Sequence, residues 1–185
     1  MAKTPSIMVP LGTQAPDFCL PDVVSGRMLT LADIRSPVAT VVMFICNHCP
    51  FVKHIIAELS VVAAEYGRKN ISFVAINSND VASYPDDSPE HMKEAAGRYN
   101  FTFPYLYDES QDAARAYQAA CTPDFYVFDR DLKCVYRGQF DDARPDNGVA
   151  VTGKDLRLAL NNLLSGEPVS KEQIPSLGCN IKWKS

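Results

Sequence analysis

The stretch from Val38 to Ile45 constrains the fold more than any other part of this chain. It is short, apolar and rich in β-branched side chains. That pattern reads as a strand covered on both faces, since a half-exposed strand would alternate. Cys46-Asn47-His48-Cys49 follows at once, and a helical pattern opens at Pro50. Two thiols therefore sit where a buried strand hands over to a helix.

The helix that follows carries Val52, Ile55, Ile56, Leu59, Val62, Ala63 and Tyr66 on one stripe, with Lys53, Glu58 and Glu65 elsewhere on the wheel. Gly67 suits its C-terminal end. Ile71 to Ile76 reads as a second strand, and strand-helix-strand implies parallel pairing. Residues 14 to 31 read as a short N-terminal hairpin: Phe18-Cys19-Leu20, a turn at Ser25-Gly26, then Met28 to Leu31. Asn77 to Pro89 is the longest loop. Ser88 as N-cap with Pro89 at the first helical position starts a helix to about Tyr99. Phe103 to Tyr107 is a short strand and Gln111 to Ala120 a helix. Phe125 to Phe128 and Leu132 to Arg137 form a hairpin turning at Arg130-Asp131. Thr152 to Leu164 is the last helix, with Gly153 a weak point in it. The tail from about residue 167 has no period and is expected to be irregular. The expected architecture is α/β: one domain over residues 1–185, with a central mixed sheet flanked by helices.

A net charge of -4 gives no basic face for nucleic acid or an anionic membrane. No apolar run is long enough to span a bilayer, and the start lacks a signal-peptide pattern. The expectation is a soluble, cytoplasmic protein. Of the 6 cysteines only Cys46 and Cys49 have a motif spacing, so in a reducing compartment the pair reads as a working dithiol rather than a staple.

Two residues three apart at a first helical turn have Cα atoms about 5 Å apart, inside the roughly 4.4–6.8 Å range of a disulfide. Open N–H groups and the positive dipole end favour a thiolate there. Such thiols titrate at about 3.5–7.5 instead of about 8.5. His48, if protonated, would stabilise the reduced pair, and Lys53 would add a small positive field. Pro50 makes Cys49 the N-cap, which puts Cys46 on the preceding loop. Exposure argues for Cys46 as the attacking sulfur in disulfide exchange; for peroxide reduction Cys49 is the choice. A zinc site needs further ligands that the spacing does not supply, with His48 poorly placed to join both sulfurs, so neither metal nor cofactor is expected.

With Thr122-Pro123 ahead of a strand, these features resemble the thioredoxin superfamily. Ala15-Pro16-Asp17-Phe18, Leu20 and Leu29-Thr30-Leu31 resemble its redoxin branch, the alkyl hydroperoxide reductase and thiol-specific antioxidant group. Cys121-Thr122-Pro123-Asp124-Phe125 and Gly178-Cys179-Asn180-Ile181-Lys182-Trp183-Lys184 are similar to peroxiredoxin-like thioredoxin proteins that carry a Cys-x-x-Cys. The resemblance implies a thioredoxin-like fold in which Pro123 is cis and, with Thr122, faces the dithiol. If Cys49 were a peroxidatic cysteine, the proline and threonine positions of the peroxiredoxin motif would hold Val42 and Cys46; Arg137 and Arg115 are the candidates for its arginine. Thioredoxins carry a buried carboxylate in the strand before the motif, and Val38 to Ile45 has none. Cys121 and Cys179 are candidate additional redox thiols, whereas Cys19 and Cys134 read as packing residues. His54 and His91 read as surface groups, and Asp86-Asp87 and Asp141-Asp142 as solvated loop positions.

The leading functional expectation is a thiol-disulfide oxidoreductase working through Cys46 and Cys49, with a protein disulfide as substrate. The alternative is an antioxidant thiol peroxidase with Cys49 peroxidatic and Cys46 resolving. A third, of another class, is a redox-inert binding module on the same fold. Either enzyme needs a reducing system such as thioredoxin or glutathione. Redoxins often dimerise, so a homodimer is left open.

Overall fold

The computed structural model describes residues 3–184. In chain order it holds β1 (Lys3–Pro5), β2 (Cys19–Pro21), β3 (Met28–Thr30), α1 (Leu31–Ile34), β4 (Ala39–Phe44) and α2 (Pro50–Gly67). β5 (Ile71–Asn77), α3 (Pro89–Arg98), β6 (Tyr105–Tyr107) and α4 (Asp112–Ala116) follow. The chain closes with β7 (Cys121–Thr122), β8 (Asp124–Asp129), β9 (Cys134–Gly138), α5 (Lys154–Ser165) and β10 (Leu177–Asn180). No helix among the described residues is long and apolar enough to cross a membrane.

The central sheet has the order β6-β5-β4-β8-β9. β4 pairs parallel with β5 and antiparallel with β8, so the sheet is mixed and β4 is its middle strand. Its alternation divides the core. Val41, Met43 and Ile45 join the cluster under α2 and α5, whereas Val42 and Phe44 pack on the other side with Tyr117 and Tyr126. Both faces are covered, which is why the sequence shows an apolar run and no alternation. The α2 stripe is buried from Val52 to Tyr66. Each such aliphatic residue contributes about 1.5–3 kcal/mol through burial, and together they fix the start of α2 against the end of β4.

β2 and β3 form the expected hairpin. The tail departs from expectation: instead of remaining irregular from 167, it supplies β10, which lies between β1 and β7 in a second, antiparallel sheet. Period-2 alternation cannot be read from a four-residue strand whose pairing partners lie at residues 3–5 and 121–122. α5 is shorter than expected at its start. Gly153 is its N-cap at φ +66°, where an added Cβ would lie 2.7 Å from the Phe140 ring, so this glycine sets the helix start instead of weakening its interior. α4 stops at Ala116, and Cys121 and Thr122 beyond it are already strand.

Candidate functional site

Cys49 is the N-cap of α2, with extended backbone (φ −68°, ψ 124°) and Pro50 at the first helical position. Proline disfavours helical geometry in its predecessor, so the strand-to-helix corner falls between the two thiols. Cys46 ends the exit from β4, and both sulfurs are buried. The Thr122–Pro123 peptide is cis, as the resemblance implies. It brings Thr122 against both thiols: its Oγ1 lies 3.1 Å from Cys46 Sγ, and its carbonyl oxygen lies 3.2 Å from Cys49 Sγ.

The tail completes the cluster. Cys179 on β10 sits opposite Thr122, and its sulfur is 2.9 Å from Cys49 Sγ. Of the two additional thiols raised by the sequence, the fold thus joins Cys179 to the pair. Cys121 is equally buried, but its thiol faces the carbonyl of Pro123 at 3.5 Å. Cys134 is buried as expected, whereas Cys19 is exposed. No disulfide is closed among the described residues.

The thiols differ electrostatically. Cys46 hydrogen-bonds toward Cys49, and that contact draws Cys49 down from an ordinary 9.0 to about 5 against the opposing effect of burial. The Cys179 thiol and the backbone N–H groups of Val52 and Cys179 add to the lowering. Cys46 moves the other way: burial raises it first, and the neighbouring Cys49 and Asp87 raise it further. Burial, with Cys49 alongside, pushes Cys179 up to about 12. One anion on the middle sulfur, flanked by two protonated thiols, is the favoured reduced state.

Asp87 is the residue the sequence reading missed. Its sequence context reads as a solvated loop position beside Asp86, yet it is fully buried. A 3-10 turn at Pro85–Asp87 folds it back over the motif. Its Oδ1 accepts from the backbone N–H of Asn47 at 2.7 Å and of His48 at 3.3 Å. Its Oδ2 faces His48 Nδ1 at 2.6 Å and accepts from Asn79 Nδ2 at 2.8 Å. Burial pushes the carboxyl up, but the bonds from His48 and Asn79 outweigh it and hold Asp87 below the usual carboxylate range. A carboxylate thus stands near Cys46 after all, supplied by the Pro85–Asp87 turn instead of by β4. Only the missing strand carboxylate hinted that another group was needed; nothing local in Asp86-Asp87 identifies it.

His48 accordingly serves Asp87. With a carboxylate on Nδ1, that nitrogen carries the hydrogen. The ring stacks on Tyr84 with centroids 5.0 Å apart. Its Nε2 is buried and has no hydrogen-bond partner among the described residues. The groups that lower Cys49 most are Cys46, Cys179 and the backbone N–H groups of Val52 and Cys179. Cys46, His48 and Asp87 each offer a donor atom, all within 4.8 Å of one another. If a metal bound here, this trio would hold it, and Cys49 lies outside it, in keeping with the expectation that His48 does not join both sulfurs.

A cleft of about 180 Å3 opens beside the motif, lined by Cys46, Asn47, Lys53, His91, Arg98 and Tyr105 among others. Cys49 does not line it. Tyr105 donates to Asn47 Oδ1 at 3.1 Å and fixes the cleft wall. The arginine candidates are engaged elsewhere: Arg137 is fully buried against Asp124 at 3.1 Å, and Arg115 stacks over Trp183. Asp141, also expected to be solvated, is buried and accepts backbone N–H bonds from Ala143, Thr152 and Gly153.

A mixed sheet, a Cys-x-x-Cys at the start of the helix after its middle strand, and a facing cis-proline define a thioredoxin-like protein. The comparisons agree. The AhpC/TSA family model matches residues 11–137, and the chain belongs to that family. Among solved structures, a conserved protein from Geobacillus kaustophilus is 60% identical over 100% of this chain and 97% of its own, with a TM-score of 0.98. Hypothetical protein SMc02350 from Sinorhizobium meliloti 1021 is 48% identical over 98% and 99%, with a TM-score of 0.96. A secreted Mycobacterium tuberculosis disulfide oxidoreductase homologous to E. coli DsbE shares the fold at 19% identity, covering 80% of this chain and 95% of its own, with a TM-score of 0.58. No curated protein sequence matches significantly. Family and neighbours together support a redox role of the thiol oxidoreductase or peroxidase type.

Proposed function

We propose that the protein is a thiol-disulfide oxidoreductase in which Cys46 meets the substrate and Cys49 is the thiol that leaves and returns. The observation that carries this reading is the division of labour between the two sulfurs. Cys46 lines the cleft, and Cys49 lies behind it as the stabilised anion. In the oxidised pair, a substrate thiolate entering the cleft attacks Cys46 Sγ. The Cys46–Cys49 bond breaks and Cys49 departs as a thiolate. A low-pKa thiol is the faster leaving group, so the helix start and the flanking thiols promote this step. A second substrate thiolate then attacks the substrate sulfur of the mixed disulfide. Cys46 leaves and takes a proton, while Thr122 Oγ1 and the nearby Asp87 remain in place around it.

Stabilising the reduced pair makes the couple more oxidising. At pH 7 a thiol titrating at about 5 is ionised by a factor of about 100, which corresponds to about 60 mV at 29.6 mV per decade. In the reverse direction Cys46 becomes the nucleophile once its proton passes to Cys49. The peroxidase alternative would need peroxide to reach Cys49, which, unlike the similarly buried Cys46, does not line the cleft. Protein disulfides or dithiols are the proposed substrates, and a thioredoxin or glutathione system in the cytoplasm the proposed counterpart.

The test is parallel measurement of insulin disulfide exchange and hydrogen peroxide consumption on the intact protein and on Cys46→Ser and Cys49→Ser. Exchange activity lost in both variants, with negligible peroxide turnover, is expected. Rapid peroxide consumption dependent on Cys49 would replace this reading with the peroxidase. Absence of both activities from the intact protein and from both variants would favour a redox-inert binding module.

A further inference from the structure

We propose that Cys179 is a third redox thiol, and that an oxidising equivalent at this site passes from a Cys46–Cys49 disulfide to a Cys49–Cys179 disulfide. The proposal rests on the dithiol reading above and extends it by one sulfur. Three observations carry it.

The first is distance. Cys49 and Cys179 sulfurs are 2.9 Å apart, and a disulfide bond is about 2.05 Å, so closing it takes a movement of less than about 1 Å. The second is the way the thiol is delivered. β10 is held on one side by β1 and on the other by β7, with Cys179 in register with Lys3 and Thr122. The neighbouring Gly178 presses on the cis-proline loop so closely that an added Cβ would lie 2.0 Å from the Thr122 carbonyl oxygen and 3.0 Å from Pro123 N. Only a residue without a side chain lets β10 come this near. Cys179, next in the chain, is carried onto Cys49 by that approach. The third is contrast. The comparably buried Cys121 and Cys134 turn to backbone carbonyls at 3.5 and 3.6 Å. Burial of a thiol in this protein does not of itself produce sulfur-to-sulfur contact.

The step balances within the protein. The Cys179 thiolate attacks Cys49 Sγ, and the Cys49–Cys179 bond forms. The Cys46–Cys49 bond breaks, and Cys46 leaves with the bonding electrons. It takes up the proton that Cys179 released, and Thr122 Oγ1 at 3.1 Å is the nearest hydroxyl to the departing sulfur. No electron enters or leaves, so the exchange is reversible. Its consequence is a change of chemistry at the cleft. With Cys49 engaged by Cys179, Cys46 stands alone as a single thiol. A mixed disulfide formed there has no resolving partner, and an external small thiol such as glutathione must release it. The site thereby alternates between dithiol and monothiol exchange.

The test is limited oxidation of the intact protein with diamide, acid quenching, alkylation and tryptic mapping. Cleavage after Arg35 and Lys53 leaves Cys46 and Cys49 on one peptide, and cleavage after Lys171 and Lys182 leaves Cys179 on another. The expected wild-type product contains both the disulfide within residues 36–53 and a cross-link to residues 172–182. Cys46→Ser should close Cys49–Cys179 as its sole intramolecular disulfide, and Cys179→Ala should lose the cross-link. A wild-type map with the 36–53 disulfide alone, together with a Cys46→Ser protein that stays reduced, overturns the inference and leaves the dithiol reading standing. A cross-link that fragmentation assigns to Cys46 also overturns it. Absence of both the disulfide within residues 36–53 and the cross-link to residues 172–182 removes the dithiol reading itself.

Discussion

Replacing Cys179 with alanine removes a thiol donor from the Cys49 anion without touching the Cys-x-x-Cys motif. In the intact reduced protein Cys49 lies at about 5, lowered by Cys46 first and then, after the opposing effect of burial, by the Cys179 thiol. A hydrogen bond to a charged group is worth about 1.5–3 kcal/mol, and one pKa unit is 1.36 kcal/mol. The variant should therefore ionise about 1–2 units higher, at roughly 6–7. At pH 7 the reduced form then loses between one and two decades of stabilisation, and the couple becomes about 30–50 mV less oxidising at 29.6 mV per decade. Ultraviolet thiolate absorbance against pH reads the first change, and equilibration in glutathione buffers the second. The potential of the intact couple should fall by about 59 mV per pH unit below the Cys49 midpoint and by about 30 mV above it, because one fewer proton is then taken up. The sign for stability follows from the lowered folded-state value. The reduced protein holds this contribution in full above the unfolded pKa near 9.0, and loses it as pH falls toward about 5. A wild-type midpoint near 9, or one that Cys179→Ala leaves in place, would refute the account of the anion.

Other consequences can be checked in the same way. Asp87→Ala leaves two backbone N–H groups, His48 and Asn79 without their acceptor; the expected loss is about 3 kcal/mol, or roughly 6–12 °C in Tm, by thermal unfolding. Asp87 itself is held low, so its share of stability is present above the ordinary carboxylate value and disappears as pH drops through the lowered one. Arg137→Met strands the buried Asp124, whose carboxyl burial already pushes up to about 6 despite the guanidinium; a destabilisation of about 3–5 kcal/mol at pH 8, smaller at pH 5 where Asp124 can protonate, should appear in urea titrations. Gly178→Ala forces β10 off the Thr122–Pro123 loop, with a cost of about 1–3 kcal/mol and a diamide cross-link reduced relative to wild type.

The architecture was largely legible because its strongest signals are local. Val38–Ile45 shows a doubly covered strand by lacking alternation, the 52–66 stripe shows one helix face, and Ser88-Pro89 shows a helix start by capping chemistry. The thiol pair was equally plain, since sequence spacing alone brings Cys46 and Cys49 together. What stayed hidden depends on distance along the chain. Asp87 reaches the motif through a turn whose folded-back course has no periodic pattern. Cys179 is legible as a candidate redox thiol in the tail, but its contact with Cys49 is not, because its strand takes its register from residues 3–5 and 121–122. The position of His48 between the thiols is plain in the sequence, whereas its contact with the buried Asp87 carboxylate is not.

The placement of β10 has a consequence for how this protein is made. Cys49 and Cys179 are 130 residues apart, so at about 5–20 residues per second the ribosome adds the dithiol about 7–26 s before the sulfur that joins it. The earliest strand waits longest, since Lys3 has Cys179 as its register partner. During synthesis Cys46 and Cys49 therefore precede Cys179, and the three-sulfur arrangement requires translation to have passed Asn180.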